Sequence, residues 1–245
     1  MISPLLSSKE LSTHIAENIS AIQRRISEAA KRAGRDPNDI GLMAVTKTQP
    51  AEKIIAAYEA GIRCFGENRV QEFASKREQL SGLQDASFAL IGQLQSNKVN
   101  KAIELFSAIH SVDSLRLAER INAALERSGR EPLAIAIEIN TGDPAKAGLA
   151  PDSPELEQLF NAALRLSHLR IQGLMTIPPF TPDPEGARPY FGRLRELRDG
   201  IAARRLPEIG MDLLSMGMSH DFEVAIEEGS TYVRVGTAIF GERQK

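Results

Sequence analysis

Residues 40–50, IGLMAVTKTQP, decide the fold. An apolar, partly β-branched run of strand length ends in Thr46 and Lys47 and is stopped by Pro50. It reads as a buried strand with one ammonium group at its mouth. Downstream, short apolar runs alternate with polar segments of helical period. Strands are expected at 40–46, 62–65, 87–91, 106–110, 133–139, 169–175, 212–215 and 232–236, and helices at 51–60, 68–80, 96–104, 114–127, 155–166, 185–203 and 220–228. Upstream, Leu11, Ile15, Ile19, Ile22, Ile26 and Ala30 predict an amphipathic helix over 8–33, opened by a Ser7/Glu10 capping box and stopped at Gly34. This alternation predicts the α/β class: one (β/α)8 TIM barrel over 1–245 with an extra N-terminal helix. An open doubly wound sheet is the alternative, but no G-x-G-x-x-G follows the first strand.

Composition excludes several classes of function. The 30 basic and 32 acidic residues are dispersed, which leaves no electrostatic footprint for nucleic acid or an anionic membrane. No apolar run approaches a membrane span, and MISPLLSSKE lacks the regions of a signal peptide, so a cytosolic protein is expected. A single cysteine, Cys64, rules out an intramolecular disulfide and a cysteine-based zinc site, and it is expected to be a small buried residue. His14, His110, His168 and His220 form no i, i+4 pair, so no metal site is expected.

In a barrel, function gathers at the C-terminal ends of the strands. Polar residues collect there: Lys47, Gly66-Glu67-Asn68, GQLQSNK (92–98), Asn140-Thr141-Gly142, Met175-Thr176, SMGMSHD (215–221) and Gly236-Thr237. IPPFTPDP (177–184) reads as an active-site loop rather than a hinge. A desolvated lysine favours its neutral form and becomes a nucleophile for aldehydes and ketones; the ordinary alternative is an ammonium that reaches water. The Gly/Ser-bearing loops after strands seven and eight suit a phosphate, although Ser219 can equally be the N-cap of its helix. Arg234, between Val233 and Val235, must find an acceptor inside the barrel, either a structural carboxylate or a ligand heteroatom. An amine nucleophile, a phosphate cradle and a buried arginine together fit pyridoxal 5′-phosphate, with its aldehyde, phosphate and ring nitrogen.

At these residues the chain closely resembles the pyridoxal phosphate homeostasis family, related to the barrel of alanine racemase. The resemblance is carried by AVTKTQP, CFGENRVQE, IGQLQSNK, GLMTIP and LSMGMSHDFEVAIEEGSTYVRVGTAIFG, from about residue 42 to the C-terminus. It implies that Lys47 forms a Schiff base with the cofactor, that Asn68 lies by its ring, and that Arg234 faces the pyridine nitrogen. Ser219 and the amides of Gly236 and Thr237 are implied to hold the phosphate. Two departures stand beside the site: Phe88-Ala89-Leu90 where the family often has Trp-His-Phe, and Gln93 for a common proline.

Because a guanidinium stays protonated, Arg234 would leave the ring nitrogen unprotonated and the ring a weak electron sink. Related racemases use a tyrosine from a further β domain as second base. This chain ends at Lys245, and Tyr58, Tyr190 and Tyr232 offer no obvious substitute. The expectation is a monomeric pyridoxal-phosphate-binding protein of vitamin B6 homeostasis, without strong catalysis, with dependent apoenzymes as recipients. A racemase using Lys47 as sole base and a class I aldolase are the alternatives.

Overall fold

The computed structural model describes residues 7–142 and 147–242. Eight parallel strands close in chain order: β1 Gly41–Val45, β2 Cys64–Glu67, β3 Ser87–Leu90, β4 Ala108–Val112, β5 Leu133–Glu138, β6 Leu169–Met175, β7 Ile209–Ser215 and β8 Tyr232–Val235. Strand β1 pairs back onto β8 from Gly41↔Tyr232 to Ala44↔Val235, which completes the barrel. Helices α2 Ala51–Glu59, α3 Val70–Lys76, α4 Val99–Leu105, α5 Leu115–Ser128, α6 Pro154–Ala162, α7 Arg188–Ala203 and α8 Phe222–Glu227 connect successive strands. Helix α1, Ser8–Arg32, precedes β1, and a single turn, α9 Thr237–Phe240, follows β8.

The expected boundaries shift where apolar residues wrap a helix end instead of joining the ladder. Ile62 donates its amide to Ala57, just after Gly61 at φ +98°, so β2 starts at Cys64 rather than residue 62. Phe106 likewise bonds back to Ala102, which delays β4 to Ala108. Both side chains are buried, and burial is all that their hydrophobicity signalled. The helix expected at 68–80 divides into α3 and a 3-10 turn, Glu78–Leu80, and that expected at 220–228 starts at Phe222.

Strand alternation sends one set of side chains to the helices and the other inside the barrel. Ala44, Phe65, Phe88, Leu90 and Ile109 pack in the outer shell, while Met43, Val45, Ala89 and Ile91 fill the interior beside Ala108 and Tyr232. Cys64 is half-buried rather than buried. Its sulfur lies 2.9 Å from Ser87 Oγ and accepts the Tyr232 hydroxyl, at the N-terminal end of the barrel, away from the C-terminal mouth.

Helix α1 starts at the expected capping box: the Ser7 amide donates to Glu10 Oε2 at 2.8 Å, and the Glu10 amide to Ser7 Oγ. Its buried stripe Ile15, Ile19, Ile22 and Ile26 covers α2, α8 and α9. Asn18 caps the Ile239 carbonyl, and Arg25 grips Glu223 with two 3.1 Å bonds while lying over the Phe222 ring. The helix therefore buttresses the two elements that follow β7 and β8. Among the described residues no helix is long and apolar enough to cross a membrane, and no three His, Cys, Asp or Glu side chains are grouped to hold a metal ion.

Two outcomes follow. Ile19→Ala removes a fully buried side chain from this seam and should lower unfolding free energy by about 2–5 kcal/mol in urea titration. The buried His110 imidazole, pushed down to about 4 by burial and by the Arg234 charge, stays neutral when the unfolded chain's histidine has already protonated. Stability is then lost as pH falls from the ordinary histidine value towards 4. Between roughly pH 7 and 5 the wild type should lose about 2 kcal/mol more than His110→Leu.

Candidate functional site

Lys47, Asn68, Ser219, Arg234, Gly236 and Thr237 all line one cavity of about 210 Å³ at the C-terminal mouth of the barrel. They come from four βα connections and one strand. Closure of the barrel brings the first of them beside the last.

Lys47 stands two residues beyond β1, in a turn, and is half-buried. The ladder continues one bond past the strand, from the Thr46 amide to the Gly66 carbonyl at 2.9 Å, and Gln49 then closes the turn onto Thr46. Val45 and Lys47 face the cavity while Thr46 turns outwards to Glu67, as strand alternation requires. Asn68 follows β2 and is held against Gly92, where any Cβ would collide with the Asn68 side chain.

Arg234 is 2% exposed and forms no ion pair among the described residues. Its Nη1 donates to Ser215 Oγ at 2.7 Å and its Nη2 to the Thr176 carbonyl at 2.8 Å. Thr176 is itself fixed by donating to the Ile139 carbonyl at 2.7 Å. Burial draws the guanidinium down to about 10, opposed by the charges of Glu138 and Asp221, so it remains a cation at neutral pH. The carboxylate expected as one of two acceptors does not account for these bonds. Neutral oxygens hold the arginine, and its remaining surface faces the cavity.

Ser219 is not a helix cap. Asp221 occupies the N-cap position of α8, and its carboxylate accepts the Met218 amide at 2.6 Å. Gly217, at φ +91°, allows the tight approach to Phe222 and Ala225 that forms this loop. Ser219 Oγ instead accepts the amides of Gly236 and Ala238, each at 3.3 Å, which ties the loop after β7 to the start of α9. Thr237, expected to supply an amide here, contributes to the exposed rim. A Cβ on Gly236 would press on the Val45 carbonyl at 3.2 Å, so glycine lets this cradle sit against β1.

Not every strand-end residue arrives. Glu67 points between β2 and α3, and Gly92 lies against Asn68 while its carbonyl accepts the Ser111 hydroxyl at 2.7 Å. Conversely Val45, Gln49, Ile91, Ile177, Met218 and His220, none of them assigned to the cofactor, also line the cavity, Ile177 from the loop expected at the active site and Met218 and His220 from the polar stretch 215–221. Val45 and Ile91 read as core, and inward strand parity at a C-terminal end was the available signal. His220 was set aside for want of a metal-ligating partner. Its Nε2 lies 3.1 Å from the Thr181 carbonyl, and its ring meets Phe180 at 5.4 Å, which holds the loop after β6 across the mouth. Glu138 also escaped notice; burial, then Asp113, raises its carboxyl to about 7, with Arg234 opposing.

The alanine racemase N-terminal domain family matches over residues 18–244. The pyridoxal phosphate homeostasis protein of Aquifex aeolicus is 45% identical over 231 residues, spanning 93% of this chain and 98% of that one. A crystal structure of an unknown protein from Bifidobacterium adolescentis superposes with a TM-score of 0.84 at 38% identity, covering 96% of this chain and 98% of the other. PipY of Synechococcus elongatus, solved with pyridoxal phosphate bound, superposes at 0.80 with 36% identity, covering 93% and 100%. With its closed alanine-racemase-like barrel, the chain belongs to the pyridoxal phosphate homeostasis protein family.

Proposed function

We propose that this protein binds pyridoxal 5′-phosphate as a Schiff base on Lys47 and serves intracellular vitamin B6 homeostasis, holding the reactive aldehyde and releasing it to dependent apoenzymes. The observation that carries it is the convergence of Lys47, Arg234 and the Ser219–Gly236 cradle on one cavity. When bound, the cofactor supplies an aldehyde carbon to which an amine adds with loss of water.

Lys47 provides that amine from a half-buried turn at the mouth of the barrel. Arg234, whose guanidinium lines the cavity, would donate to the ring nitrogen and, keeping its proton, would leave that nitrogen unprotonated. Asn68 flanks the ring. The Ser219 hydroxyl, with its oxygen accepting two amides, turns its own proton to the phosphate beside the Gly236 and Thr237 backbone.

A holding role without strong catalysis is supported by where the tyrosines lie. Tyr58 bonds Asp85 on the surface, Tyr190 packs on Gly142, and Tyr232 bonds Cys64, its phenol pushed up by burial. The cavity is lined by none of them. The protein would act in the cytosol as a monomer. His220 at the mouth favours a second reading, an amino-acid racemase or related enzyme in which Lys47 and an imidazole share proton transfer.

Lys47→Ala should abolish the imine absorbance and the borohydride-stable adduct, with the wild-type adduct mapping to the peptide that contains residue 47. Retention of the adduct in Lys47→Ala would remove the assignment. Ser219→Ala should weaken pyridoxal phosphate about tenfold while leaving unphosphorylated pyridoxal nearly unchanged. Incubation with single amino-acid enantiomers in deuterated water should give no α-deuterium; sustained exchange selects the enzyme.

A further inference from the structure

Lys76 is an expensive residue that the cavity does not use. It is 7% exposed, and its partner Glu67, on the helix-facing side of β2, is fully buried. Lys76 Nζ lies 2.8 Å from Glu67 Oε1 and 3.1 Å from Glu72 Oε1. A buried ion pair is weak evidence of added stability, since an apolar pair of similar volume often does as well. What distinguishes this one is where its remaining bonds go.

Nζ also donates to the Thr46 carbonyl at 3.1 Å and the Gln49 carbonyl at 3.2 Å. Glu67 Oε1 accepts the Thr46 hydroxyl at 2.6 Å, and Glu72 Oε1 accepts the Thr48 amide at 2.5 Å. Residues 46, 48 and 49 are thus each tied to this cluster, on both sides of Lys47. The turn needs such restraint: Thr48 sits at φ +63°, a region that β-branched residues seldom occupy unless their surroundings impose it.

We propose that Lys76, held between Glu67 and Glu72, is a positioning residue for Lys47: it locks the strained turn so that the Lys47 amine is presented to the cavity in one direction. This rests on Lys47 being the Schiff-base lysine. The cluster lies on the α3 side and touches neither Arg234 nor the Ser219–Gly236 cradle. Its loss should therefore impair imine formation and spare recognition of the ring and phosphate.

Pyridoxine 5′-phosphate, an alcohol in place of the aldehyde, separates the two. Affinities of the full chain for pyridoxal phosphate, from imine absorbance, and for pyridoxine phosphate, from calorimetry, are compared in wild type, Lys76→Met, Glu72→Ala, Lys47→Ala and the exposed control Lys101→Met. Lys76→Met should weaken the aldehyde about tenfold or more and the alcohol less than about twofold, with Glu72→Ala intermediate and Lys101→Met unchanged. Equal loss for both ligands, or no loss for either, overturns the positioning role. Glu72 is on the half-exposed side of the cluster, so if Lys76→Met does not fold, the same split or its absence in Glu72→Ala decides. Imine absorbance that survives in Lys47→Ala defeats the Schiff-base assignment itself; absorbance lost there but unchanged in Lys76→Met defeats only the positioning role.

Discussion

A cation enclosed in a closed barrel is the constraint on which the site depends. The Arg234 guanidinium is satisfied by Ser215 Oγ and the Thr176 carbonyl, neutral acceptors from the ends of β7 and β6. Because no carboxylate touches it, its charge acts over distance. It helps to keep His110 neutral and draws on Glu138 and Asp221, both of which burial pushes towards protonation. Dipoles fixed in a low-dielectric interior need no reorganisation when a ligand arrives, and a guanidinium held by two bonds still has donors to offer.

Two groups of helices brace two neighbouring parts of the cavity, the cradle and the lysine turn, which meet where β8 closes on β1. On one flank α1 clamps α8 and α9 through an isoleucine seam and the Arg25–Glu223 pair, which steadies the loops carrying Ser219 and Gly236. On the other, α3 reaches β1 through Lys76 and pins the turn that carries Lys47. The mouth between them is bridged by the loop after β6, tied down at His220. A ligand with an anion at one end and a carbonyl at the other would be met by a cradle and a lysine turn that different helices brace.

The barrel was legible from periodicity alone, because parallel strands buried on both faces read as short apolar runs and their connecting helices as amphipathic segments. Boundaries were less legible. Ile62 and Phe106 are as buried as strand residues, yet belong to helix ends, and hydrophobicity reports burial rather than ladder membership. The six residues proposed for the cofactor all reached one cavity because strand ends in a closed barrel must converge.

The chain by itself determined which residues are costly: a lysine at a strand mouth, an arginine among valines, glycines beside serines. Those costs are properties of side-chain chemistry next to apolar neighbours, so they can be read in one dimension. Tertiary structure alone decided how each cost is met. Ser219 accepts amides from a segment beyond β8 rather than capping its own helix, Arg234 is held by neutral oxygens from strands distant in sequence, and Lys76 grips the turn around Lys47. Hydrogen-bond partners are chosen by distance and direction in space, and only the closing of β1 onto β8 supplies those.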